Sequence, residues 1–139
     1  MGVVNSYLSL TKPKVVILLQ ITALCSVLSH DLIGQSEINM ETIKTIFIVF
    51  VGGYLTAGGA NAVNMWYDRD IDPIMTRTSN RPLSTGKIEG SAALLFGILM
   101  AIGGTMWFSL LANNVAAFWA LFSVLFYVFI YTMWLKRKT

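Results

Sequence analysis

Four apolar runs, at about residues 15–29, 43–66, 91–111 and 115–135, constrain this 139-residue chain more than any other feature. About 20 apolar residues rising 1.5 Å each cross a hydrocarbon core of about 30 Å, and inside that core each backbone polar group must find its partner within the segment. The expected fold is therefore an all-α, polytopic membrane helix bundle. It forms a single transmembrane domain over residues 1–139, with four transmembrane helices and a longer polar loop at 67–90. Composition agrees, since 55% of residues are hydrophobic and only 12% are charged, against about 25% charged in soluble domains. The net charge of +3 gathers at the ends of the apolar runs, which speaks for a lipid bilayer as partner and for no nucleic acid. Cys25, the single cysteine, sits in an apolar run and reads as a small packing residue with no internal disulfide.

Residues 1–10 are mildly amphipathic, with Val3, Val4, Tyr7 and Leu8 apolar, and read as a segment at the membrane surface. The run that follows Lys12 and Lys14 imitates a secretory signal, but no small-x-small cleavage site follows cleanly and further spans come after it. A polar connection at 29–44 holds Asp31, Glu37 and Glu41, with His30 at its edge; an interfacial role for that histidine outweighs a ligand contact. In the second span Gly52, Gly53, Ala57, Gly58, Gly59 and Ala60 let a neighbouring helix approach, as do Gly97, Gly103 and Gly104 in the third. The same small surface also leaves room for a flat or elongated ligand. Ala112, Asn113 and Asn114 make a tight turn, and Tyr131 and Trp134 in the fourth span fit the aromatic belt.

Of the ten lysines and arginines, Lys12, Lys14, Arg69, Arg77, Arg81, Lys87, Lys136, Arg137 and Lys138 fall on one side of this arrangement and only Lys44 on the other. The positive-inside rule then expects a multi-pass protein of the plasma membrane with both termini and the 67–90 loop cytoplasmic.

That loop region carries the chemistry. Asn64, Asp68 and Asp72 recur every four residues, so on a helix of 3.6 residues per turn they drift by only about 40° per step and share a face. Asn61 joins them one turn earlier, while Arg69 and Asp70 point away. Pro73 disfavours helical geometry at Asp72 and is expected to end the helix there, with a short helix following within 74–80. Two carboxylates beside an amide suit a hard cation, and Mg²⁺ typically binds one or two carboxylates with phosphates completing its shell. Arg77 and Arg81, at i and i+4, offer the planar forks that match phosphate oxygens. Lys87 either assists at the phosphate or serves only the charge bias of the loop. The plainer alternative is that Asp68, Asp70 and Asp72 solvate a helix end and pair with Arg69, Arg77 and Arg81.

At these residues the chain resembles the UbiA-type intramembrane prenyltransferases, whose first acid-rich motif is Asn, then Asp four and eight residues on, followed by Arg-Thr-x-x-Arg-Pro. Here the pattern is Asn64, Asp68, Asp72 and Arg77-Thr78-Ser79-Asn80-Arg81-Pro82. Many members have Asp after the Asn where this chain has Met65; the form NxxxDRDID with MxRTxxRPLxTG looks like the branch that modifies haem. The phrase Leu10-Thr11-Lys12-Pro13-Lys14 and residues 131–139 extend the likeness over nearly the whole chain. The resemblance implies farnesyl transfer from farnesyl diphosphate to haem B, giving haem O. Asp68 and Asp72, with Asn64 supporting, would act as catalytic and metal-binding residues for Mg²⁺, and Arg77, Arg81 and Lys87 as diphosphate-binding residues.

The family also has a second helical half with another acid-rich motif, so the chain is expected to be the amino-terminal half of a longer enzyme. The missing half would lie on the remainder of the gene or on partner helices. Two other readings stand beside this one. In the first the acceptor is an aromatic acid or lipid precursor. In the second the chain is an inactive membrane protein whose acids serve structure only.

Overall fold

A computed structural model describes residues 2–34 and 37–138. Gln35 and Ser36 of the expected polar connection, and the terminal Met1 and Thr139, lie outside the described residues. The helices are α1 (Val3–Leu10), α2 (Pro13–Ile33), α3 (Met40–Tyr67), α4 (Gly90–Leu111) and α5 (Asn114–Leu125). The chain continues past Leu125 as a π-helix, Phe126–Leu135, and a last turn, Lys136–Lys138, so the fourth span runs Asn114–Lys138. Four helices are long and apolar enough to cross a membrane, and no strand occurs among the described residues.

The first two spans are longer than the apolar runs alone imply. Pro13 opens α2 at a position where its missing N–H is no loss, and the helix carries on through His30 and Asp31 to Ile33. Thus most of the expected polar connection at 29–44 is helical. α3 starts at Met40 because Asn39 caps it, its side-chain oxygen accepting from the backbone of Glu41 at 3.0 Å and of Thr42 at 3.2 Å.

α3 is the central helix, packed against α2, α4 and the fourth span. The small residues explain how closely. A Cβ on Gly59 would stand 2.6 Å from the Gly97 carbonyl oxygen, one on Gly104 2.6 Å from Thr56, and one on Gly52 2.6 Å from the Phe108 ring. In lipid, where burial offers no hydrophobic gain between helices, such backbone approach and dispersion supply the association. Gly103 is different, with nothing within 4 Å of a Cβ placed there. Leu18, Phe47, Leu99, Phe118 and Trp119 all face outward, as lipid-facing residues do. α1 is held at one end of the bundle by Leu10, which is buried with Ala62, Met65, Ile88 and Ala93, and by Tyr7 against Phe96 at 5.0 Å.

The alternating direction of the four spans brings the start of α2, the end of α3, the start of α4 and the end of the fourth span to this same end of the bundle.

Candidate functional site

The α-helical part of α3 stops at Tyr67, five residues short of the expected end at Asp72. Two 3₁₀ turns follow, Asp68–Asp70 and Asp72–Ile74. With Pro73 disfavouring a continued α-helix at Asp72, the last residues tighten to i→i+3 bonding, seen in Ile71 N–H to Asp68 O at 3.0 Å. The expected short helix within 74–80 is likewise absent; these residues form a 3₁₀ end and a run of turns. The loop is pinned instead by Thr78, buried, whose hydroxyl donates to the Asp72 backbone oxygen at 2.9 Å.

The tighter winding still delivers the expected sidedness. Asn64, Asp68 and Asp72 are 1%, 0% and 2% exposed, whereas Arg69 and Asp70 point outward. Arg69 lies over the Trp66 ring, 4.6 Å from its centroid. Asn61 is buried too but turns to another neighbour, donating to the Thr11 backbone oxygen at 3.0 Å.

The amide of Asn64 is fixed from both ends. Its oxygen accepts from the Tyr127 hydroxyl at 2.9 Å and the Thr132 hydroxyl at 3.4 Å, and its nitrogen donates to Asp68 Oδ2 at 2.8 Å. The π-helix makes the first pair of contacts possible. Tyr127 and Thr132 are five residues apart, the step that a π turn closes, and both face Asn64. Asp68 Oδ2 also accepts from the Lys136 ammonium, which comes from the last turn of the same span. Asp68 Oδ1 is buried and receives no hydrogen bond, with Arg137 at 3.8 Å. Asp72 pairs with Arg81 at 2.9 Å. Arg137 grips the exposed Asp70 with both nitrogens, at 2.7 and 2.9 Å.

Arg77 and Lys87 do not join this cluster. Together with Arg81, Lys12, Ser9 and Met65 they border a separate cavity of about 330 Å³. Lys12 is half-buried, and that burial, with Arg81 and Lys136 near it, lowers its pKa from 10.5 to about 8 although Asp68 and Asp72 oppose the shift. A larger, mostly apolar cavity of about 550 Å³ runs between α2, α3 and the fourth span, from Asn61 and Tyr127 down to Val49 and Phe108. Gly53, Ala57 and Ala60 line it, so one side of the small-residue run packs α4 while another leaves open space.

Lys136, Arg137, Tyr127, Thr132 and Lys12 are the contributors that sequence reading passed over. Lys136 and Arg137 were absorbed by the positive-inside count. The usable signal was topological: a fourth span antiparallel to the third must end beside the acids that end the second.

The donor set fits a divalent cation. Among the described residues no three His, Cys, Asp or Glu side chains converge as a complete metal cage. Two buried carboxylates, Asp68 and Asp72, do lie at the end of α3, Asp68 with an oxygen that has no donor, and one or two carboxylates are the share of a shell that Mg²⁺ takes from protein when phosphates supply the rest.

Buried carboxylates thus end a membrane-spanning helix, and an apolar cavity lined by Asn61 and Tyr127 lies in the same bundle. Residues 15–139 match the UbiA prenyltransferase family, and the chain belongs to it. The chain is 44% identical over 136 residues to a protein of Streptomyces coelicolor named protoheme IX farnesyltransferase, covering 98% of this chain and 41% of that one. A Symbiobacterium thermophilum protein of the same name is 42% identical over 139 residues, 99% of this chain and 44% of that one. For the Clavibacter michiganensis protein of that name the identity is 42%, over 97% of this chain and 42% of the relative. The chain thus spans less than half the length of these curated relatives. No solved structure matches it.

Proposed function

We propose that this chain forms the donor-binding part of a haem farnesyltransferase, which moves the farnesyl group of farnesyl diphosphate onto the vinyl group of haem B to give haem O. The observation that carries the reading is Asp68: a carboxylate with no exposed surface, at the end of a membrane-spanning helix, with one oxygen left without a donor. Lys136 and Asn64 satisfy Oδ2, and the buried Oδ1 is the position left for a further cation.

Asp68 and Asp72 would hold Mg²⁺ through their carboxylates, and Asn64 would hold Asp68 in place through its amide nitrogen. When bound, the metal supplies positive charge that favours departure of diphosphate. The chain's own residues do the remainder. Arg81 and Lys136, already at the carboxylates, lie where the leaving group's oxygens gather charge, in a site of low dielectric where each cation counts for more. The allylic C–O bond breaks with its electron pair going to diphosphate; the farnesyl carbon then bonds to the vinyl carbon, and water quenches the resulting cation to give the hydroxyl of haem O. The apolar cavity below Asn61 and Tyr127 suits the farnesyl chain and keeps water from its reactive end until capture.

Orientation follows the same reading. Nine of the ten lysines and arginines lie at the end of the bundle that carries the site, and only Lys44 lies at the other, a bias that supports a cytoplasmic, plasma-membrane setting for the site. The test is direct: these 139 residues, joined to the remaining length of the Streptomyces coelicolor relative, are given haem B, farnesyl diphosphate and Mg²⁺. Farnesylated haem by mass is the expected product. Its absence in a chimaera that folds and inserts, or farnesylation of an aromatic acid in its place, would overturn the assignment.

A further inference from the structure

The cavity bordered by Lys12, Arg77, Arg81 and Lys87 has no carboxylate in its lining, and among the described residues Lys12, Arg77 and Lys87 take part in no ion pair. Arg81 stands on its boundary, reaching Asp72 with one nitrogen at 2.9 Å. The polar end of the bundle is therefore divided in two. One part mixes acids and bases and suits an anion that arrives with a metal; the other is purely basic and suits an anion that arrives without one.

Lys12 is set into this second part by its backbone. It is the only non-glycine residue with a positive φ among the described residues, at 52°, a conformation that persists where the surroundings over-determine it and that clusters at functional sites. The surroundings are visible. Thr11, just before it, bonds Tyr54 at 2.8 Å and accepts from Asn61 at 3.0 Å, while Pro13, just after it, disfavours right-handed helical geometry at Lys12. Met65, 3% exposed, gives the cavity an apolar wall, and Ser9 adds a neutral hydroxyl.

We propose that this acid-free basic cavity is a second anion site, separate from the carboxylate cluster, and that it holds the carboxylate arms of the acceptor porphyrin. The inference rests on the haem-acceptor reading above. That reaction has two anionic partners of different character: a diphosphate that needs a metal, and a flat apolar macrocycle whose two carboxylates need only cations. Guanidinium and ammonium groups with neutral donors beside an apolar wall match the second. Arg77 and Lys87 then belong to the acceptor, and Arg81 sits between the two substrates.

The test uses the detergent-solubilised full chain and three probes: iron protoporphyrin IX as the free dicarboxylate, its dimethyl ester, and magnesium diphosphate. Binding of the porphyrins is read from Soret absorbance and that of diphosphate by calorimetry. The free dicarboxylate is expected to bind at least about tenfold more tightly than the ester. Lys12→Gln, Arg77→Gln and Lys87→Gln should each weaken the dicarboxylate about tenfold, leave the ester and magnesium diphosphate unchanged, and keep helical circular dichroism. Lys87→Arg should retain dicarboxylate binding. Variants that weaken magnesium diphosphate and spare the porphyrin would overturn the proposal and give the cavity to the leaving group. Equal binding of ester and dicarboxylate to the wild-type chain would overturn it while leaving the haem-acceptor reading standing. Failure of the wild-type chain to bind either porphyrin would overturn the proposal, while haem farnesylation by the chimaera decides the acceptor reading separately.

Discussion

At the end of the bundle where α2 gives way to α3, Asp31 pairs with its neighbour His30 at 3.2 Å and accepts from Thr42, whose side chain helps to start α3. Glu37, Glu41 and Lys44 around them are exposed. At the opposite end Asp68 has no exposed surface and takes its partners from Asn64 and from Lys136, the latter 68 residues away. The first end has three acids and the second four, Asp68, Asp70, Asp72 and Glu89, and a cavity opens at each, of about 490 Å³ beside Asp31 and about 330 Å³ beside Arg81. What separates them is that the first is wetted and capped locally, while the second is desolvated and satisfied across the fold. A charge in water is screened and interacts weakly, whereas a desolvated one must be completed by chosen partners. Only the second arrangement can discriminate a ligand.

Asp68→Ala should have the largest effect in challenging that contrast. It leaves the buried amide of Asn64 without an acceptor and removes the partner of Lys136, and should destabilise the solubilised chain by about 1–3 kcal/mol in thermal unfolding. Asp68→Asn, which keeps the shape, should abolish magnesium-dependent diphosphate binding in calorimetry; retention of that binding would reduce the cluster to a structural pairing. Next comes Gly59→Val, which drives a side chain into the Gly97 carbonyl only 2.6 Å from its first carbon and should cost about 1–3 kcal/mol by the same unfolding assay. Tyr127→Phe removes one donor from Asn64 and should lower stability by about 1 kcal/mol, with weaker magnesium diphosphate binding as the amide of Asn64 loses its anchor.

A pH titration sharpens the contrast further. The folded-state pKa of Lys12 near 8 lies below its ordinary 10.5, so between those values the unfolded chain binds the extra proton and folding stability rises with pH. Dicarboxylate binding has the opposite sense: level below about pH 8 and falling above it as Lys12 discharges among Arg81, Lys136, Asp68 and Asp72. A profile that stays level to pH 10 would remove Lys12 from the site. The smallest effect belongs to the other end, where His30→Ala and Asp31→Asn should leave diphosphate and porphyrin binding where they were.

How much of this was legible beforehand varies by residue. The spans and the shared face of Asn64, Asp68 and Asp72 could be read because hydropathy and the four-residue recurrence are properties of one segment at a time. Asp72 shows the limit of that reading: its side is right, yet it lies on a 3₁₀ turn, because Pro73 acts on winding several residues back. Arg77, Arg81 and Lys87 looked alike in sequence, three cations in one loop. Folding assigned Arg81 to Asp72 and set the other two beside Lys12, a division made by the path of the loop around Thr78.

By itself, then, the chain's order of residues determined that there would be four membrane helices, that the second would end in acids on one face, and that nearly all the cationic side chains would share that end. Those outcomes depend on transfer out of water and on helical period, both of which act locally. Only the tertiary structure decided which cation completes which acid, which way the amide of Asn64 faces, and that a π turn brings Tyr127 and Thr132 to it. Such choices depend on how closely Gly59 and Gly97 let the helices approach and on the direction in which each span returns, and no segment carries that information alone.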